Sequence, residues 1–136
     1  MEAASDKKYI TGVPWQDKQH GELFERIKEL ISAMERGEGE KEVLKFMDFF
    51  DEYIVVHFHD EEKAMNACQF PDALSHIKEH TNFIDDFSSL KSELNKGVTP
   101  LLVEEVKKRV LLWLKTHTCG SDKKLGAFLV RKAASL

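Results

Sequence analysis

Cysteine and proline are scarce, and long apolar runs and any excess of positive charge are absent. Each of these shortages removes a class of protein. The two cysteines, Cys68 and Cys119, form no CxxC pair, so neither a zinc ribbon nor a disulfide-framed secreted scaffold is indicated, although a single disulfide stays open. As lone residues they most often pack as small hydrophobes. No stretch approaches the roughly 18 apolar residues of a membrane span. The first eight residues, Met-Glu-Ala-Ala-Ser-Asp-Lys-Lys, hold no apolar run of the kind a signal peptide needs. The expected setting is therefore the cytoplasm. Net charge is −4 with a pI near 5.9, which argues against nucleic acid or an anionic membrane as partner. The short basic runs Lys107-Lys108-Arg109 and Lys123-Lys124 read as solvated helix faces. No useful stretch alternates apolar and polar residues as a half-buried strand would.

What is present is helical periodicity. At 136 residues, 42% of them hydrophobic, the chain is long enough for one domain with a real core. Residues 1–16 read as an irregular arm in which Gly12, Pro14 and Trp15 mark an extended segment with one aromatic anchor. Asp17 can cap a first helix whose stripe is Leu23, Phe24, Ile27, Leu30, Ile31 and Met34, with His20 on the same face. Gly37-Glu38-Gly39 ends it. A second helix, over about 40–67, carries Val43, Met47, Phe50, Ile54, His57, Phe58, Glu61 and Met65 along one side. Pro71 suits the opening of a third, with Ala73, His76, Ile77, His80, Phe83, Ile84, Phe87 and Leu90 on its stripe. Thr99 and Pro100 read as cap and first residue of a fourth, which carries Val103, Val106, Val110, Trp113, Leu114 and His117. Gly120 breaks or distorts it, and a short tail helix over about 122–133 follows with Leu125, Phe128 and Leu129. The expected fold is all-α: an up-down-up-down four-helix bundle over about 17–119, with an N-terminal arm and a short C-terminal helix. The charge on the outward faces makes a monomer the expected state.

Five of the six histidines and two carboxylates fall into a spaced series: His20, then His57-x-x-x-Glu61, His76-x-x-x-His80 and His117-x-x-x-x-Asp122. Residues four apart on an α-helix lie about 40° from each other, one turn on, so His57 and Glu61 share a face, as do His76 and His80. Asp122 misfits: five residues from His117 is about 140° off that face on a regular helix. A bulge or a helix end is required between them, and Gly120 is suitably placed.

Four helices that each bring one or two such ligands to a bundle core make a metal site. Imidazole with carboxylate suits iron, with zinc or manganese behind it. If Glu61 and Asp122 each bridge two ions and a solvent oxygen bridges as well, splitting five histidines three and two leaves one ion six-coordinate and the other five-coordinate. The open position can take a small ligand. Leu23, Phe24, Phe58, Trp113 and Leu114 stand within a turn of a ligand and make the surroundings apolar. A dry pocket favours reversible binding of a small neutral gas over bond-breaking chemistry. Carboxylate-rich di-iron sites use Glu-x-x-His pairs, and no such pair supplies these ligands. His59 points to another face, Cys119 is expected to turn away, and Glu62 is read as a solvent-facing carboxylate rather than a third bridge.

The segments Asp17-Lys-Gln-His20-Gly-Glu-Leu23-Phe24, His57-Phe58-His-Asp-Glu61-Glu62, Phe70-Pro71, His76-x-x-x-His80-x-x-Phe83 and Trp113-x-x-x-His117-x-x-x-x-Asp122 closely resemble the hemerythrin family in its single-domain bacterial form, from about Trp15 to Asp122. The resemblance implies two non-haem iron ions joined by an oxo or hydroxo bridge. It implies His76, His80 and His117 on the saturated iron, His20 and His57 on the iron with the open site, and Glu61 and Asp122 as bridges. It further implies dioxygen bound to the open iron and held as hydroperoxide, in a pocket lined by Leu23, Phe24, Phe58, Trp113, Leu114 and Thr118. Thr118 departs from the branched apolar residue usual after the last histidine; its hydroxyl is expected to offer a hydrogen bond or admit water, and so to speed autoxidation.

The expected function is non-enzymatic dioxygen binding for carriage, storage, delivery to an oxygen-consuming enzyme, or sensing. A di-iron peroxidase or nitric oxide reductase competes with it, as does iron storage. A purely structural bundle is disfavoured, because burying five histidines and two carboxylates without metal is costly.

Overall fold

The computed structural model describes residues 9–134. Four long helices run in sequence: α1 (Pro14–Glu35), α2 (Gly39–Cys68), α3 (Ala73–Lys96) and α4 (Pro100–His117). A π-helical turn (Thr118–Asp122) leads directly into α5 (Lys123–Ala134). Among the described residues there is no strand. α1 packs on α2 and α4, and α3 on the same two helices, as an up-and-down bundle with short connections requires.

The local causes are legible at each end. α1 begins at Pro14, three residues before the expected cap. Asp17 is not that cap; it sits in the first turn and faces backward. Its Oδ1 accepts from Thr11 N and Thr11 Oγ1, both at 2.8 Å, and its Oδ2 from Gly12 N at 3.2 Å. The arm is thus tied to the helix it precedes. Its aromatic anchor is Tyr9, buried against Phe24 with ring centroids 4.8 Å apart, whereas Trp15 is exposed. The part of the expected arm over residues 1–8 lies outside the described residues.

Gly37, at φ +76°, makes the left-handed turn between α1 and α2, which costs glycine nothing. α2 closes on Gln69 in the left-handed region, with Phe70 N donating to Met65 O at 3.0 Å. Pro71 does not open α3. It occupies the second position of a turn in which Ala73 N donates to Phe70 O at 3.2 Å, a place that suits its fixed φ, and the helix starts at Ala73. Thr99 does cap α4, its hydroxyl accepting from Leu102 N at 3.1 Å, and Pro100 follows as first residue.

The main core runs the length of the bundle from Leu30, Val43, Leu94 and Val103 up to Phe58, Phe83 and Leu114, with Phe50 stacked against Phe87 at 5.4 Å. A second, smaller cluster of Met65, Phe70 and Leu125 sits where α5 crosses one end, with Ile77, Phe128 and Leu129 packed against it. Between the two clusters α2 carries His57 and Glu61. The polar groups are therefore sandwiched between two apolar layers.

Candidate metal centre

All seven residues singled out by spacing converge in that layer, and all are buried. His20 comes from α1, His57 and Glu61 from α2, His76 and His80 from α3, and His117 from the last residue of α4. Asp122 reaches the same place because residues 118–122 form a π turn. With i→i+5 bonding, a residue five positions on returns close to the starting face. The bulge required by the His117–Asp122 spacing is present.

The seven form two groups that share both carboxylates: Glu61, His76, His80, His117 and Asp122 in one, and His20, His57, Glu61 and Asp122 in the other. Each carboxylate divides its oxygens between the groups. Glu61 Oε1 lies 3.3 Å from His76 Nε2 and 3.0 Å from His80 Nε2. Glu61 Oε2 lies 3.2 Å from His57 Nε2 and 3.6 Å from His20 Nε2. Asp122 Oδ1 is 3.0 Å from both His76 Nε2 and His117 Nε2, while its Oδ2 is 2.7 Å from His20 Nε2. Two ligands bound side by side about 2.1 Å from one ion stand about 3 Å apart, which is the spacing seen.

The orientation of the atoms tests the fit. His20 Nε2, His117 Nε2 and Asp122 Oδ1 sit within hydrogen-bond distance of one another's groups, yet make no properly directed hydrogen bond. They crowd together within two groups of ligand atoms, those of each group all within 4.8 Å of one another, without pairing properly with each other. Such buried polar atoms are costly unless something else satisfies them, and a cation in each group does so.

Three of the five outer nitrogens, those of His57, His80 and His117, are held by acceptors. His80 Nδ1 lies 2.8 Å from Glu62 Oε2, and His117 Nδ1 2.8 Å from Glu79 Oε1. A carboxylate only accepts, so each Nδ1 donates outward, which leaves each Nε2 as the ring atom that faces the centre. Glu79 also accepts from Ser121 Oγ within the π turn, which braces the bulge. His57 Nδ1 donates to Gln19 Oε1 at 2.7 Å, and Gln19 Nε2 donates in turn to Asp60 Oδ2 at 2.7 Å. Gln16, fully buried, donates through Nε2 to Glu61 Oε2 at 2.8 Å.

Without a cation, these groups share protons. Burial opposes charge on His57, but Glu61 and Asp122 beside it prevail and push its pKa up to about 10. His76 is raised to about 9 in the same way, against burial and by Asp122 and Glu61. Burial opposes charge on Glu61 as well, yet His57, His20 and His76 hold it well below the usual carboxylate range. Asp122 is held low by His117 and His20 against burial and the Glu61 charge.

A profile of the hemerythrin HHE cation-binding domain matches residues 11–129. The chain belongs to the hemerythrin family. Similar proteins include a bacteriohemerythrin of Methylococcus capsulatus, 27% identical over 88% of this chain and 89% of that one. A myohemerythrin of Theromyzon tessulatum is 31% identical over 78% of this chain and 76% of its own. A hemerythrin-like protein of Naegleria gruberi is 29% identical over 88% and 87%.

Within this hemerythrin fold the expected pocket residues are distributed as follows. Phe58 stacks flat on His80, ring centroids 3.8 Å apart, and Trp113 stacks on His117 at 4.3 Å. Leu23, Phe24 and Leu114 are buried in the core beside them, and Trp113 is half-buried. Thr118 is buried, but its hydroxyl donates to the Leu114 carbonyl one turn back, so its one proton is engaged within the helix. His59 is exposed, as its spacing predicted. Cys119 is half-buried against the main core, and both cysteines are free thiols.

Sequence reasoning missed the supporting residues. Glu62 is half-buried and holds His80 rather than facing solvent alone. Gln16, Gln19 and Glu79 had no signal in spacing, because each is defined by a partner on another helix. No helix among the described residues is long and apolar enough to cross a membrane.

Proposed function

We propose that this hemerythrin domain binds dioxygen reversibly at a pair of non-haem iron ions, and acts as a carrier, store or sensor rather than an enzyme. The observation that carries this is the division of Glu61 and Asp122, each presenting one oxygen to a three-histidine group and the other to a two-histidine group. Two ions would be held there, one by His76, His80 and His117 and the other by His20 and His57, with Glu61 and Asp122 available to both. The His20–His57 group offers fewer protein ligands, so an ion held there would have room for a small ligand. A pair of ferrous ions supplies two electrons for reversible reduction of dioxygen.

The chain's own groups favour retention over turnover. Phe58 and Trp113 cover His80 and His117 with flat apolar faces that exclude water from the imidazoles. Glu62 and Glu79 hold protons on the outward nitrogens of those two rings. The Thr118 hydroxyl proton is spent on a backbone carbonyl. A water-sized cavity of about 30 Å³ between the arm and α1, bounded by Tyr9, Ile10, Gly21 and Phe24, reaches His20. It lies on the two-histidine side, where a small molecule would approach. A monomer in the cytoplasm, supplying an oxygen-consuming enzyme, fits this reading.

The test is the visible spectrum of anaerobically reduced, iron-loaded protein, before air, after air, and after oxygen is removed. A charge-transfer band that forms with air and vanishes when oxygen is stripped supports a carrier or sensor. A band that never forms, or irreversible oxidation in each cycle, would sink that reading in favour of a peroxidase or nitric oxide reductase. Uptake of iron well beyond two ions per chain would point to storage.

A further inference from the structure

Gln16 is the least expected side chain near the site. It lies in the first turn of α1 on the buried side, with no accessible surface, and it is neither a ligand nor part of the apolar wall. Its amide is oriented unambiguously. One end meets Glu61 Oε2 at 2.8 Å and the Asp122 carbonyl at 3.5 Å, both of which only accept, so that end is Nε2. The other end, Oε1, is buried without any partner. It faces Gly126 of α5, where an added Cβ would stand 3.2 Å from it. A buried acceptor left unsatisfied is unfavourable, and an apolar side chain of the same length would avoid it. What the amide offers in return is its N–H on one particular oxygen.

That oxygen belongs to one half of the site. Glu61 Oε2 faces His57 and His20, whereas Oε1 faces His76 and His80. The three-histidine half is braced by anionic partners on two of its rings, Glu62 on His80 and Glu79 on His117, with His76 Nδ1 unpartnered. The two-histidine half has only neutral ones. Gln19 holds His57, and the outer nitrogen of His20 has no partner among the described residues. Gln16 is thus the group that fixes the rotation of the shared carboxylate toward the less supported half.

We propose that Gln16 is a positioning residue for the His20–His57 half of the site, setting the affinity of that half for its cation while leaving the three-histidine half unaffected. The proposal rests on the two-ion reading above. Partners that orient a metal ligand typically govern 10–100-fold in affinity, and here the effect falls on one of two ions. The expected order is that the three-histidine half fills first and the His20–His57 half second.

The test uses the full chain stripped of metal and titrated with cobalt(II), followed by its absorption bands and by the bound metal per chain. Wild type should take two ions in two steps. His20→Ala identifies the step that belongs to its half by abolishing it. Gln16→Met keeps length and volume, removes the N–H, and also removes the stranded acceptor. It should weaken the His20–His57 step 10–100-fold, leave the other within about twofold, and leave the melting temperature of the metal-free protein nearly unchanged. Gln16→Asn, too short to reach Glu61, should do the same, and stands in if the methionine variant does not fold. Equal weakening of both steps, or no change in either, overturns the proposal. So does a large drop in metal-free melting temperature with unaltered affinities, since that would mark a purely structural role. A wild-type chain that binds fewer than two ions refutes the two-ion reading itself.

Discussion

Gly126 and Gly120 make a matched pair that tests how the tail helix meets the arm. Both lie in the helical stretch after His117, neither has a positive φ, and each would become alanine. At Gly120 an added Cβ meets nothing within 4 Å. At Gly126 it would stand 2.5 Å from Thr11 Cβ and 2.9 Å from the Thr11 carbonyl oxygen. Carbon atoms in favourable contact are about 3.5–4.0 Å apart, so the overlap is about 1 Å. Thr11 cannot easily yield. Its N and Oγ1 are both held by Asp17 at 2.8 Å, and the adjacent Gly12 N at 3.2 Å.

Overpacking of this kind costs about 1–3 kcal/mol, while replacing glycine by alanine in a helix gains about 0.5–1 kcal/mol. Gly120→Ala should therefore stabilise by about 0.5–1 kcal/mol. Gly126→Ala should range from neutral to destabilised by about 2.5 kcal/mol. The propensity gain cancels in the comparison, leaving the clash of about 1–3 kcal/mol, or roughly 3–12 °C in melting temperature at this chain length. Thermal unfolding of the metal-free variants by calorimetry reads the difference directly. If Gly126→Ala melts at or above Gly120→Ala, the close packing of α5 on the arm is not as described, and the confinement of Gln16 between them fails with it.

Three further outcomes follow from the site. The metal-free protein should be most stable in mildly acidic solution. His57 and His76, with ordinary values of 6.5 raised to about 10 and about 9, stabilise fully below about 6.5, and that contribution is lost as pH rises through 9 and 10. Glu61 and Asp122, held low, contribute fully above their ordinary values of 4.5 and 3.8, and that contribution is lost progressively as pH falls below them. A melting temperature that is flat or rising from pH 7 to 10 would contradict this. Glu79→Ala removes the acceptor for both His117 and Ser121 and should lower metal affinity about 10–100-fold, measured by competition with a chelator; an unaltered affinity would show that Glu79 does not orient His117. Removing metal should lower the melting temperature and speed amide exchange first around residues 117–122, where the π turn depends on Asp122 facing the cation. Uniform protection in both forms would count against that.

The fold and the seven converging residues were legible because both depend on periodicity. Apolar residues at three and four, and ligands at four, place side chains on helix faces regardless of what those faces meet. The His117–Asp122 spacing required a bulge or a helix end, since five residues do not fit a regular helix, and the π turn is the first of these. Its cause was read less well. Gly120 has ordinary backbone angles and open space, so the distortion comes from the extra residue and the demand on Asp122, not from glycine's freedom.

Two errors at helix starts share one origin. Asp17 and Pro71 are good residues for those positions, but each found a tertiary or turn partner instead, Thr11 for the first and the Phe70–Ala73 turn for the second. The supporting shell was illegible for a stronger reason. Gln19 meets His57 across 38 positions, Glu79 meets His117 across 38, and Gln16 meets Glu61 across 45. None of these pairs leaves a trace in local spacing, because register between neighbouring helices is decided by core packing rather than by either helix alone. The ligands of such a centre can therefore be read from one strand of text. The asymmetry between its two halves, set by Glu62 and Glu79 on one side and by Gln16 and Gln19 on the other, exists only once the helices are side by side.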